Sequence, residues 1–140
     1  MQALIDTING SFDQRSKLSP QNTPQDIQHA ILECIEKLDQ GTIRVAQKQQ
    51  SEWVTNEWIK KAILLFFKTQ ANAMMSDGVT HFFDKAALKY SQYDQQQLEA
   101  SNVRIVPPAY ARKGCYIAPN SVLMPSYVNI GAYIDSGSMI

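Results

Sequence analysis

Hydrophobic residues recur at three different spacings along this chain, and each spacing predicts a different element. Leu4, Ile8 and Phe12 fall one helical turn apart with Ile5 beside them, so residues 2–16 read as an amphipathic helix. A polar connector, 19–23, contains Pro20 and leads to a second helix. Thr23 is placed to cap it, Pro24 suits the first helical position, and Asp26 stands where a capping-box acid would. Ile27, Ile31, Ile35 and Leu38 form its apolar stripe, Leu32 and Cys34 flank the stripe, and Gly41 ends the helix. The spacing then falls to two. TIRVAQ (42–47), polar KQQSE and the resumption at WVT (53–55) predict a β-hairpin, with Ile43 and Val45 on one face and Arg44 and Ala46 on the other. A third helix is expected from Asn56 to about Gln70. Its stripe is Trp58, Ala62, Leu65 and Phe66, widened by Ile59 and Ile63, with Lys60 and Lys61 in water.

Past the third helix the pattern loosens. Ser76-Asp77-Gly78 is a turn signal, and VTHFFDKAALKY (79–90) fits a strand or a short helix equally. Tyr93–Ala100 is polar and glutamine-rich, as a short surface helix would be. In NVRIVPPAY (102–110), Pro107 and Pro108 exclude a regular helix or a central strand. The domain junction is therefore expected there: 1–100 as an amino-terminal α/β domain, 101–110 as a linker, and 111–140 as a region with its own repeat.

That repeat has a period of six. Tyr116, Val122, Val128, Ile134 and Ile140 recur without insertion, and four positions after each of the first four stands a small residue: Asn120, Ser126, Ala132, Ser138. Pro119, Pro125, Gly131 and Gly137 precede those small residues. Neither a helix nor an alternating strand has this period; a parallel β-helix of hexapeptides does. The aliphatic residue of each hexad should point inward, the small residue should lie near the axis, and Pro or Gly should turn the corner. Full burial of such an aliphatic residue stabilises by about 1.5–3 kcal/mol. Residues 116–140 make little more than one triangular coil, and solenoids need stacked neighbours. The expectation is that 1–100 folds on its own core, that 110–140 is stable only against a neighbour, and that the sequence is the first part of a longer protein.

Composition narrows the function. With 13 basic and 13 acidic residues the net charge is zero, which argues against a nucleic-acid partner. The longest wholly apolar run, Ala62–Phe67, is far too short to span a bilayer, and Met1–Asn9 does not read as a signal peptide. A cytoplasmic protein without a membrane partner is expected. Cys34 and Cys115 lack disulfide or metal spacing, and His29 and His81 lack partners at ligand spacing, so no metal site is expected.

RIVPP (104–108) followed by LMPSYVNIGAY (123–133) resembles the tetrahydrodipicolinate N-succinyltransferases of bacterial lysine biosynthesis. RVAQK (44–48), WVTNEWIKKAILL (53–65) and FDKAALKY (83–90) extend the resemblance over the whole chain. It implies an amino-terminal α/β domain followed by the first coil of a left-handed parallel β-helix, truncated here. It also implies a homotrimer with active sites between neighbouring β-helices. The implied reaction moves succinyl from succinyl-CoA, a co-substrate, to the amine of the ring-opened dicarboxylate acceptor, with no tightly bound cofactor and no acyl-enzyme.

By the same resemblance, Arg104 matches the arginine that binds an acceptor carboxylate, a task suited to a planar and permanently charged guanidinium. The family's catalytic aspartate falls beyond Ile140, so no catalytic residue is assigned. Asp135 is not its substitute, because its hexad position faces solvent, and nothing assigns Arg112 or Lys113 to phosphate. Cys115 should point outward and has no histidine near it, which argues against an acyl-cysteine. A zinc carbonic anhydrase on the same repeat needs histidines, and 104–140 contains none. Two alternatives remain: another hexapeptide acyltransferase, and a non-catalytic assembly or interaction module.

Overall fold

In the computed structural model, which describes residues 1–140, three helices form the first layer. They are α1 (Gln2–Asp13), α2 (Gln25–Asp39) and α3 (Glu57–Thr69), and α1 is followed by one 3₁₀ turn at Arg15–Lys17. Their stripes meet: Leu4 and Ile8 of α1, Ile31, Cys34 and Ile35 of α2, and Ile59, Ala62 and Leu65 of α3 share one core. Two details of α2 differ from expectation. The Thr23 hydroxyl donates to the Ser19 carbonyl at 2.6 Å instead of capping, and Pro24 holds the cap position without a side-chain bond. Cys34 is fully buried while Leu32 is exposed. Residues 31, 34, 35 and 38 follow the i, i+3, i+4, i+7 rule, so Cys34 lies inside the stripe and Leu32 outside it.

Two antiparallel hairpins project from this layer. β1 (Ala46–Gln49) pairs with β2 (Glu52–Thr55), beginning later than TIRVAQ suggested. Asn56 occupies the preceding backbone instead, donating from its N–H to Val45 O at 2.7 Å and from Nδ2 to Arg44 O at 2.7 Å. β3 (Ala73–Ser76) pairs with β4 (His81–Asp84), which resolves the first half of 79–90 as strand. The turn is held by Asp77, whose Oδ1 accepts from the N–H groups of Val79 and Thr80. α4 (Gln95–Ser101) is a surface helix with no buried residue, started by a reciprocal Asp94–Gln97 capping box.

From Val103 the chain winds. β5 (Val103–Ile105) pairs in parallel with β8 (Ser121–Leu123), β6 (Tyr110–Ala111) with β9 (Tyr127–Val128), and β7 (Tyr116–Ile117) with β10 (Tyr133–Ile134). Partners lie 18 residues apart in the first pair (121 − 103) and 17 in the others (127 − 110 and 133 − 116). Corners stack as well: Asn102, Asn120 and Gly137 all have left-handed backbone, with φ of 51°, 64° and 79°. Residues 101–110, expected as a linker, thus contain a strand of the winding. This earlier start explains why Val128 and Ile134 are buried without any neighbouring chain, against the expectation from a single coil.

The unbroken six-residue frame does not survive. The buried column is Ala111, Ile117, Leu123, Val128 and Ile134, whose steps are six, six, five and six. Tyr116 and Val122 are only half-buried, and Tyr116 stacks on Tyr133 with ring centroids 4.6 Å apart. One residue is missing at the corner between Leu123 and Val128, so the inward set moves by one position there. The sequence frame looked continuous because apolar residues stand on both sides of the short corner. Cys115 is likewise inside, 0 % exposed, and not outward as expected. Gly114, with φ of 98°, turns the chain immediately before it.

Two faces of the winding are covered by the chain itself. The β7–β10 face lies against the helical layer, where Tyr116 packs on Gly41 and Arg44 stacks 3.7 Å over the Tyr133 ring. The β6–β9 face meets the β3–β4 hairpin: Tyr110 packs edge-on against Phe82, and its hydroxyl donates to Asp77 Oδ2 at 2.6 Å. The β5–β8 face is left in solvent, with Arg104 and Met139 exposed.

Candidate functional site

Arg104 is the middle residue of β5, opposite Val122 in the ladder, so strand alternation turns it outward while its neighbours Val103 and Ile105 pack on the inner cluster. α4 ends at Asn102, whose left-handed backbone (φ 51°) reverses the chain into β5. The result is a depression of about 410 Å³ between α4 and the winding, lined by Leu98, Glu99, Asn102, Arg104, Asn120 and Val122 among others. The two asparagines stack across the windings: Asn120 N–H donates to Asn102 O at 2.8 Å, and Asn102 Nδ2 donates to Asn120 Oδ1.

The other cations of the winding are engaged within the chain. Arg112 pairs with Asp84 at 2.9 Å and donates to Asn129 Oδ1 at 3.2 Å. Asp84's carboxyl is held below its ordinary value, chiefly by the Lys85 N–H and further by Arg112. Lys113 pairs with Glu36 at 2.9 Å, and that bond lowers the Glu36 carboxyl and raises the Lys113 ammonium. Both therefore fasten the winding to the amino-terminal domain. Lys89 does so from below: its side chain, 7 % exposed, pairs with Asp39 at 2.9 Å and donates to the carbonyls of Asp39 and Cys115. Arg104 alone among the three cations of 102–140 has neither an ion pair nor a hydrogen bond within the chain.

The remaining candidates fall elsewhere. Asp135 is exposed, and its carboxylate accepts from the Ser136 N–H at 2.8 Å, closing a turn. Burial pushes the Cys115 thiol up to about 11 and the Cys34 thiol to about 12, so neither is a ready thiolate. His29 and His81 are exposed on different elements, and no three histidine, cysteine or acidic side chains converge into a possible cation site. The structure adds Glu99, Asn102 and Asn120 to the depression that Arg104 lines; the sequence reading had placed Asn120 only as a small residue of the repeat and had not singled out the other two. The one signal available was the 18-residue interval between the asparagines, which equals a winding.

The family profile described as "Tetrahydrodipicolinate N-succinyltransferase N-terminal" matches residues 3–69. The chain is also similar over its full length to named enzymes. All 140 residues align at 46 % identity with 51 % of a 2,3,4,5-tetrahydropyridine-2,6-dicarboxylate N-succinyltransferase of Sodalis glossinidius. The enzyme of the same name from Acinetobacter baylyi is 44 % identical over 140 residues, again 51 % of its length. That from an Azoarcus species is 49 % identical over 131 residues, 94 % of this chain and 48 % of the relative. The chain thus spans about half the length of the curated relatives it matches. It has mixed helix and strand content, and what it resembles, over residues 3–69 by the family profile and over its full length by these relatives, is the tetrahydrodipicolinate N-succinyltransferases.

Proposed function

We propose that these 140 residues form the acceptor-binding portion of an enzyme that transfers succinyl from succinyl-CoA to the amine of ring-opened tetrahydrodipicolinate. The observation that carries this reading is Arg104, an unpaired guanidinium on the one face of the winding that the chain leaves open. A fork of N–H donors matches a carboxylate in two parallel hydrogen bonds, and it stays charged at any working pH. Direct attack of the amine on the thioester fits the buried, protonated state of Cys115.

The windings from Val103 onward are read as the start of a left-handed parallel β-helix. On the domain division set out from the sequence, 1–100 is the amino-terminal domain, and β5 within 101–110 already belongs to the winding. The open β5–β8 face would then meet a neighbouring subunit in a cytoplasmic homotrimer. No helix is long and apolar enough to cross a membrane.

The test is CoA release from succinyl-CoA in a longer polypeptide that carries this sequence. Arg104→Ala is expected to raise KM for the dicarboxylate about ten- to hundredfold, with KM for succinyl-CoA unchanged. An unchanged acceptor KM would remove Arg104 from the acceptor site. The 140 residues alone are expected to release no CoA.

A further inference from the structure

Arg44 stands at the root of the β1–β2 hairpin, against the β7–β10 face and away from the open face that carries Arg104. Its backbone is fixed. Asn56 Nδ2 donates to the Arg44 carbonyl at 2.7 Å, and the Asn56 N–H donates to the Val45 carbonyl at 2.7 Å. Its guanidinium is fixed as well, with Cζ 3.7 Å over the Tyr133 ring, which itself stacks on Tyr116. On the hairpin side, Cζ stands 5.9 Å from the centre of the Trp53 ring. Between these rings the charge has no counterion. Arg44 joins none of the four ion pairs of the chain, its side chain makes no hydrogen bond, and Nε is buried without an acceptor. Charged donors withdrawn from water are ordinarily paired, and stacking on an aromatic face offsets only part of that cost. The missing acceptor has to come from outside the chain.

The hairpin indicates its chemistry. Register sets Lys48 directly opposite Trp53 and Ala46 opposite Thr55, so Lys48, Trp53 and Thr55 share one face. Glu52, opposite Gln49, lies on the other face. Trp53 is 65 % exposed, so its indole lies in water with two cations of the hairpin region beside it and no acid on its face. An indole plane stacks nucleobases, and a guanidinium fork matches phosphate oxygens. A phosphate monoester carries about two negative charges, which two cations balance and a single carboxylate does not.

We infer that the β1–β2 hairpin binds a nucleoside phosphate, with the base stacked on Trp53 and the phosphate held by Arg44 and Lys48. The phosphate supplies the acceptor that the Arg44 guanidinium lacks. The zero net charge of the chain favours a single nucleotide over a polymer. The site lies on a different face from Arg104, and it does not depend on the acceptor reading. A free nucleotide and the nucleotide end of coenzyme A carry the same chemistry, and the test separates them.

Amide and indole chemical-shift titration of the 140-residue chain at low ionic strength compares adenosine 5′-phosphate with adenosine and with ribose 5-phosphate. The nucleotide should move the Trp53 indole resonance and leave that of Trp58, which packs on the helical core, in place. It should bind about tenfold more tightly than ribose 5-phosphate, which lacks the stacking base, and about tenfold more tightly than adenosine, which lacks the anion. Arg44→Gln should weaken the nucleotide about tenfold and leave adenosine unchanged. Lys48→Gln, an exposed substitution away from the Tyr133 stack, should weaken it about three- to fivefold. Trp53→Leu, followed on the amides of residues 44–55, should erase the preference for the nucleotide over ribose 5-phosphate. Unchanged amides in the helical layer will report that each variant folds.

An unmoved Trp53 resonance with the nucleotide overturns the inference, as does adenosine binding as tightly as its phosphate. Nucleotide affinity that survives both Arg44→Gln and Lys48→Gln overturns it too. Coenzyme A tells the two sources apart. Displacement of the nucleotide from Trp53 by coenzyme A supports the site and assigns it to a coenzyme A nucleotide, whereas nucleotide binding that coenzyme A leaves untouched supports a free nucleotide.

Discussion

The helical layer and the winding bury apolar side chains by different means. In the helical layer, stripes from three helices close on one another around a cluster of 15 buried residues. In the winding the cluster has six buried residues, and most of its inner column comes one residue from each short strand. A helix stripe tolerates adjustment, because a side chain displaced by one position still lies partly on the buried face. A winding does not, since successive side chains point to opposite sides. The consequence is visible at the corner after Leu123, where one missing residue moves the whole inward set. The two regions are then joined by groups that belong to neither core. Arg112 and Lys113 pair with Asp84 and Glu36 across the boundary, Lys89 bonds Asp39 on one side and the Cys115 carbonyl on the other, and glycines admit side chains from the opposite side.

The sharpest break in this comparison should come at the joint. Lys89→Met removes the ammonium from Asp39 and from two carbonyls while leaving Asp39 only 15 % exposed. A loss of about 3–5 kcal/mol is expected from urea denaturation, since one member of a buried pair is left uncompensated. Next in size are the core truncations Leu65→Ala and Leu123→Ala, each expected to cost about 2–5 kcal/mol. They differ in extent: Leu65→Ala should lower amide-exchange protection everywhere, whereas Leu123→Ala should lower it first in β5–β10. Equal loss in both regions would show that they unfold as one unit.

Gly41→Ala probes the interlock. The position has φ of 71°, and a Cβ would stand 2.6 Å from the Tyr116 ring. The expected cost is about 1–3 kcal/mol, with the Tyr116 and Tyr133 ring resonances shifted. Asn120→Ala, at φ 64°, should cost about 1 kcal/mol and Asn120→Gly less, because glycine accepts the left-handed corner.

The smallest effect is a pH dependence confined to the β3–β4 hairpin. The Tyr110 hydroxyl, then the Thr80 and Val79 N–H groups, lower the Asp77 carboxyl from 3.8 to about 2. Its stabilising contribution is present above the ordinary carboxylate value and is lost as pH falls through about 2. The Phe82–Tyr110 ring contact, followed by nuclear Overhauser effects, should persist at pH 3 and weaken near 2. The Glu36–Lys113 pair has a different window. It weakens as pH falls through the lowered Glu36 value or rises through the raised Lys113 value.

Local pattern alone located α1, α2, α3, the surface helix α4 and the first hairpin, and it left 79–90 open between strand and helix. Helix stripes and strand alternation are properties of a few neighbouring residues, whereas Arg104 was singled out only by the family resemblance carried by RIVPP. Three things depended on residues far apart in sequence. Whether Ile117 or Tyr116 faces inward depends on which windings stack, so a missing residue at one corner cannot be detected from periodicity alone. Cys115 was misplaced for the same reason. Glu99 joined Arg104 only because left-handed Asn102 turns the helix end beside the strand, and the pairing of Asn102 with Asn120 exists only once the chain has gone round. The sequence by itself determined the helices and the first hairpin and marked out a periodic carboxy-terminal stretch, because those follow from local spacing. Only the tertiary structure decided which side chains are inside and which cation remains free, because those depend on how distant segments stack.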